Sequence, residues 1–193
     1  MARIEKVTKA RKEHKCSKCG KVIEVGMSYL HATPYKRPTI IRCTSCGLKS
    51  YETSGSEYIR EIGSIIEDWR ENYPIEDGTA EEIATTLEDL RDQQQESLDN
   101  MPENLQGGDT GCMLQERIDS LESAIDELND ISWESCEEDA RSEAEHELGE
   151  YDPESSEYET EDEYKEELEE KVEELTEEKY SESIDEALSN ITY

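Results

Sequence analysis

Apolar positions recur at two different periods along this chain. Between residues 22 and 41 they alternate: Val22, Ile23 and Val25, then Gly26 as a turn, then Met27, Tyr29 and Leu30, which predicts a β-hairpin. Thr39, Ile40 and Ile41 predict a third strand. Past residue 50 the step becomes three and four. Ile59, Ile62, Ile66, Trp69 and Tyr73 predict a helix over 56–72, opened by a capping box, Ser54-x-x-Glu57, and ended by Pro74. Thr79-x-x-Glu82 opens a second helix to about residue 100, with Ala80, Ile83, Leu87 and Leu90 on one face. Leu114, Ile118, Leu121, Ile125 and Leu128 set a third, from about residue 110.

Pro102, Gly107, Gly108 and Gly111 interrupt the second and third helices, so two apolar seams joined by turn-forming residues predict an antiparallel coiled-coil hairpin. The seam lapses at Gln93, Gln94 and Gln95, a run that reads as an exposed helical turn, a register device or an opening for a partner. Tyr164, Leu168, Val172, Leu175, Ile184 and Leu188 predict a fourth helix over 161–190. Residues 132–160, with Gly149, Pro153, Ser155 and Ser156, read as a linker. The predicted fold class is α+β: a small β-rich head over 1–50, a helical region over 51–131, an acidic linker over 132–160 and an acidic C-terminal helix over 161–193.

Charge divides the chain at the same place. The 193 residues hold 52 Asp and Glu against 20 Lys and Arg, a net charge of −32, with only 33% hydrophobic residues and no Phe. Residues 1–50 contain 12 basic and 3 acidic side chains, a net +9, which leaves −41 for residues 51–193. Residues 132–193 alone carry 26 acidic and 4 basic side chains. Repulsion at that density opposes compaction, so the stability of the fourth helix in isolation is doubtful and the run reads as a solvated face. No apolar stretch approaches the roughly 20 residues of a membrane span, and the basic start lacks the apolar run of a signal peptide. The expectation is a soluble, intracellular protein.

Six cysteines change the picture of the head. Cys16-Ser17-Lys18-Cys19-Gly20 and Cys43-Thr44-Ser45-Cys46-Gly47 are two C-x-x-C-G units. Each holds two sulfurs on one side of a tetrahedral ion, and the segment between them folds back to set the pairs opposite, which predicts a Zn2+ site of Cys16, Cys19, Cys43 and Cys46. Glycine after each pair lets backbone N–H groups approach the thiolates. Paired disulfides are disfavoured without a secretion signal. His14 and His31 are substitute ligands in principle, but four thiolates already complete the shell, so they read as surface or packing residues. Cys112 and Cys136 read as unpaired thiols and His146 as an isolated side chain.

Cys16-x-x-Cys19-Gly20-x-x-Ile23-x-x-Gly26-x-x-Tyr29 followed by Arg42-Cys43-x-x-Cys46 resembles the treble-clef and zinc-ribbon group, including the fingers of poly(ADP-ribose) polymerases. Those fingers use a His ligand, so their recognition of DNA breaks does not carry over to four cysteines. The head together with Asn100-Met101-Pro102-Glu103-Asn104-Leu105-Gln106 and Leu114-Gln115-Glu116-Arg117-Ile118 is similar to small acidic proteins of tailed bacteriophages. That resemblance spans about residues 3–130 and implies a viral origin, a host-cytoplasmic location and an interaction role.

No P-loop, dinucleotide fingerprint, H-E-x-x-H or G-x-S-x-G is present, and a closed four-thiolate shell is structural, so no enzymatic activity is expected. Three functions remain. The basic head would bind nucleic acid through Lys9, Arg11, Lys12 and Lys15 on a flexible arm, with Tyr35, Lys36 and Arg37 in the loop between the cysteine pairs, and Arg42, as further contacts. The acidic body would bind a host protein by presenting charge like that of nucleic acid. Alternatively the helical hairpin would drive homo-oligomerisation, with the head as a cap.

Overall fold

The computed structural model describes residues 2–149, 151 and 160–192. Pro153, Ser155 and Ser156, on which the expected linker partly rested, lie outside the described residues. The chain forms two compact units, Met1–Asp68 and Trp69–Thr192, and the division falls inside helix α1 (Glu57–Asn72).

The first unit contains five short strands: β1 (Glu5–Val7), β2 (His14–Lys15), β3 (Val22–Ile23), β4 (Tyr29–Ala32) and β5 (Ile40–Cys43). An antiparallel sheet runs β1-β4-β5, with Glu5 opposite His31, Tyr29 opposite Cys43 and Ala32 opposite Ile40. β2 and β3 form a separate ladder, His14 opposite Ile23 and Lys15 opposite Val22. The predicted hairpin of 22–25 with 27–30 is therefore corrected: β3 pairs with β2, because the first C-x-x-C-G is itself the turn between them. Gly26, at φ 92°, turns a loop that leads into β4.

Nor is the basic arm flexible. β1 pairs along the edge of the sheet, and buried Ala10 is clamped at both backbone groups, its N–H donating to Met27 O (2.8 Å) and its carbonyl accepting from Gly26 N–H (2.9 Å).

A 3-10 turn, Tyr51–Thr53, leads to α1. The cap of α1 also differs from expectation. Ser56 Oγ accepts from Ile59 N–H at 3.5 Å, whereas Ser54 is buried and its Oγ accepts from Ser56 N–H at 3.1 Å. The sequence places two candidate serines before the helix, and burial of Ser54 leaves the second to serve the free N–H groups. Tyr58 and Ile62 bury the inner face of α1, and Gly63 leaves space for the Tyr51 ring that a Cβ would occupy.

In the second unit α2 (Thr79–Asp99) and α4 (Asp109–Asp130) pack on each other, with a short helix, α3 (Glu103–Gln106), in their connection. Ile83, Leu87 and Leu90 of α2 and Leu114, Ile118, Leu121, Ile125 and Leu128 of α4 are buried, as their spacing predicts. Gln94 is buried too and continues the seam four residues after Leu90, so the glutamine run is not simply an exposed turn. Thr79 does not cap α2. Its hydroxyl donates to Pro74 O (3.0 Å), and the free Ala80 N–H donates to the hydroxyl of buried Tyr180 (3.1 Å).

Residues Trp133–Leu148 form a helix, α5, which replaces most of the expected linker; it packs along α6 (Glu161–Ser189). Ser132 caps α5 by accepting from Ser135 N–H (3.3 Å), and Gly149 ends it at φ 73°. The seam is made of Ala140 and Ala144 against Val172, with Leu168 and Leu175 beside them. Alanine contributes little hydropathy, so this face escaped the apolar pattern, although it lets two backbones approach closely. α6 also packs on α4, burying Tyr180, Ile184, Ala187 and Leu188, and Trp133 meets the Tyr180 ring edge-on at 5.0 Å. Trp69 Nε1 and the Arg70 guanidinium donate to Asp185 at 3.2 Å.

All four basic residues of 132–193 are ion-paired. Arg141 binds Glu169 (2.8 Å) and Glu137 (3.6 Å), Lys179 binds Glu143 (2.6 Å), Lys171 binds Glu147, and Lys165 binds Glu161 (2.6 Å). Three of these cations tie α5 to α6. Their pairing holds Glu143, Glu161 and Glu169 below the usual carboxylate range, the hydrogen bond from the cation being the first cause in each case.

With 26 acidic side chains against 4, repulsive pairs far outnumber attractive ones in this part of the sequence. Added NaCl should therefore screen more repulsion than attraction and raise the thermal midpoint of the helical unit, read by circular dichroism; a fall with salt would show that the ion pairs dominate. Among the described residues no helix is long and apolar enough to cross a membrane.

Candidate metal centre

The two C-x-x-C-G units are placed by the strands that flank them. Cys16 follows β2, and its N–H donates to Lys21 O (2.9 Å) while Gly20 N–H donates back to Cys16 O (2.9 Å), closing the first knuckle. Cys43 ends β5, and both Cys46 N–H and Gly47 N–H donate to its carbonyl at 3.2 Å. Gly20 and Gly47 stand at φ 73° and 65°, where glycine carries no Cβ penalty. Ser17 joins the knuckles: its N–H and its hydroxyl both donate to Ile41 O at 2.8 Å.

The ligand atoms of Cys16, Cys19, Cys43 and Cys46 all lie within 4.8 Å of one another. Metal–sulfur bonds of about 2.3 Å in a tetrahedron put sulfurs about 3.8 Å apart. The Cys19–Cys43 separation, 3.9 Å, has that size and is far beyond a disulfide bond of about 2.05 Å. The four cysteines are thus positioned to hold a metal ion. Cys16 is buried and Cys19 exposed, so the cluster lies at the surface of the head.

The thiols ionise against one another. Burial pushes Cys16 up, but backbone hydrogen bonds at Cys19, Cys43 and Lys18 outweigh it and lower the thiol to about 6. Cys43 N–H donates to Cys16 Sγ at 3.4 Å. Cys43 is itself lowered, first by a backbone hydrogen bond at Cys46. Cys46 is pushed up to about 12 by hydrogen bonds with the Cys43 and Cys19 side chains, then by burial. The first thiolate is favoured and the last opposed, and a divalent cation is the partner that lets all four be thiolates together.

A supporting ring of residues was not evident from sequence. Arg42 donates to Glu52 (2.6 Å) and to Ser17 Oγ, and Glu52 also accepts from Lys49 N–H (2.8 Å), so the carboxylate clasps both ends of the second knuckle while the Arg42 guanidinium links it to the first. Glu67 of α1 accepts from the Tyr51 hydroxyl (2.7 Å) and pairs with Lys49 (3.2 Å). Burial raises Glu67, and those two partners more than reverse it; Tyr51 is pushed up by burial and then by Glu67. Arg42 before Cys43 was the one visible sign of this ring, and nothing local marks Glu52 or Glu67.

Of the eight residues expected to contact nucleic acid, Arg42 has its guanidinium bonded to Glu52 and Ser17. Lys9, Arg11, Lys12 and Lys15 are exposed. Tyr35 is 79% exposed with Lys36 Nζ 5.2 Å from its ring centroid, and Arg37 holds that loop by donating to Ser54 O (3.2 Å). These residues do not form one patch. Ala10, between Lys9 and Arg11, is bonded to Met27 just before β4 begins, whereas residues 35–37 follow the far end of β4, roughly 10 Å along the strand. His14, Tyr29 and His31 form a row of tilted rings, with centroids 4.8 and 5.9 Å apart and planes inclined at 40° and 41°, and His31 lies 3.6 Å from Glu5, so neither histidine belongs to the sulfur cluster.

Fold and site together define a small β-rich head with four cysteines positioned to hold a metal ion, followed in sequence by an acidic helical unit. No protein-family model, curated protein or solved structure matches the chain.

Proposed function

We propose that the four thiolates hold a structural zinc ion and that the head binds nucleic acid. Four sulfur ligands suit Zn2+, and a closed shell leaves no position for substrate, so the protein is read as an interaction protein and not an enzyme. The observation that carries the reading is the exposure of Lys9, Arg11, Lys12 and Lys15 on backbone held by Ala10 to Gly26 and Met27 and by the β2–β3 ladder. Fixed cations beside a small zinc-stapled sheet suit phosphate contact without large ordering cost. The α2–α4 pair is read as an antiparallel coiled coil, since its buried residues recur at three and four.

In filter binding at low salt, the zinc-loaded chain should retain nucleic acid, with affinity falling as salt rises. Substituting Lys9, Arg11 and Lys12 together by alanine should weaken retention by at least tenfold and flatten the salt dependence by about two log units per log unit of salt. Absence of any retention by the unaltered chain would remove this reading.

A second reading has its own support. Because the basic residues of α5 and α6 are spent on pairs within that helical hairpin, its outward charge is carboxylate, which suits a protein with a basic groove. Affinity purification with and without nuclease separates the two readings: partners lost with nuclease belong to the head, and nuclease-resistant, salt-sensitive partners belong to the body.

A further inference from the structure

Three large apolar side chains of the head are left in solvent close to its cations. Val22 is 52% exposed, Val25 63% and Met27 49%. Val22 stands opposite Lys15 in the β2–β3 ladder. Val25 and Met27 flank Gly26, and the backbone of Gly26 and Met27 is bonded to Ala10, which carries Lys9 and Arg11 on either side. The segments that meet here, residues 6–15 and 21–27, contain Lys6, Lys9, Arg11, Lys12, Lys15 and Lys21 against Glu13 and Glu24. The result is an apolar tip set among cations, held by two backbone hydrogen bonds.

We propose that this tip is the docking surface for single-stranded nucleic acid, with unstacked bases against Val25 and Met27 and phosphates on Lys9, Arg11 and Lys12. The inference rests on the nucleic-acid reading above and narrows it from polyanions in general to single strands. Charge alone cannot select among polyanions, because a duplex and a single strand offer the cations the same phosphates. Exposed apolar side chains supply a contact that phosphates cannot use. In a duplex the base faces are stacked inside and only phosphates and groove edges are offered, whereas a single strand exposes base faces whose apolar area Val25 and Met27 can cover. The tip is a turn at Gly26 and not a groove between elements, so it suits bases arriving singly more than the long apolar face of a peptide helix.

The test is fluorescence anisotropy with the full zinc-loaded chain, comparing oligothymidylate with a mixed-sequence duplex of equal length. The unaltered chain should prefer the single strand. The double variant Val25→Ser, Met27→Ser should lose about tenfold on the single strand with no change on the duplex and no change in salt dependence, since it removes apolar contact and no charge. Both side chains are exposed, and an unchanged zinc content confirms that the head is folded. Equal loss on both probes, or no loss on either, overturns the base contact while leaving nucleic-acid binding standing. Failure of the unaltered chain to bind either probe at low salt overturns both. Loss of salt-sensitive self-association in the variant, with strand binding intact, would assign the tip to a second copy of the chain and overturn the inference.

Discussion

Replacing Cys43 with serine is expected to abolish metal retention and unfold the head while the helical unit keeps its structure. Before residue 50 the buried apolar residues are Ala10, Cys16, Ile23, Ala32, Pro34 and Leu48, two of them alanines and one a member of the cysteine cluster, and α1 adds only Tyr58 and Ile62 within the same unit. Burial on that scale does not offset the chain entropy of roughly 50 ordered residues. Structural zinc sites supply about 10–16 kcal/mol at neutral pH, and that binding energy is folding energy. Cys43 matters beyond its sulfur, because it ends β5, its carbonyl closes the second knuckle and its N–H supports Cys16. Metal analysis should fall from one zinc per chain to none, and amide resonances of residues 2–50 should collapse to unfolded positions. Helical circular dichroism should change little, since most helix lies in the second unit. A variant that keeps both its metal and its dispersed head resonances would refute the four-thiolate site.

Ala144→Glu should have the second large effect. Ala144 is 0% exposed and sits in the α5–α6 seam with Ala140 and Val172. A glutamate there either buries an unpaired charge or forces the helices apart, and the surrounding surface is already rich in carboxylate. The cost is about 3–5 kcal/mol, the size found when a buried charge lacks its partner. Hydrogen exchange should show α5 losing protection, and the urea midpoint of the helical unit should drop. Ala144→Ser, which keeps the volume, serves as the control and should cost about 1 kcal/mol. An unaltered urea midpoint for the glutamate variant would mean that α5 does not pack on α6 in solution.

These two sites mark how far the sequence could be read. The metal centre was visible because its chemistry is local: C-x-x-C-G names both ligands and the turn that holds them. α1, α2, α4 and α6 were visible because Ile and Leu recur at helical spacing. α5 was not, since its inner face is Ala140 and Ala144, and alanine packs helices closely without standing out in an apolar pattern. The β2–β3 pairing was missed for another reason. Alternation at Val22, Ile23 and Val25 indicates a strand but not its partner, and here the partner was chosen by the knuckle that lies between His14 and Val22. Capping was similarly underdetermined, with Ser54 and Ser56 both available and tertiary burial deciding between them. Glu52, Glu67 and Tyr180 act across the fold, and no local spacing announces such contacts.

The hydroxyl of Tyr180 against Ala80 N–H has a consequence for the order of synthesis. The chain leaves the ribosome N-terminus first, so all four clustered cysteines of the head are made when little of the helical unit exists. α2 then waits for a partner that arrives 100 residues later. Until α6 emerges, the first turn of α2 must be served by water, and α4 has no cover for the face that meets Ile184 and Leu188. The head is therefore a local fold, complete early, whereas the body closes last, through contacts between segments made far apart in time.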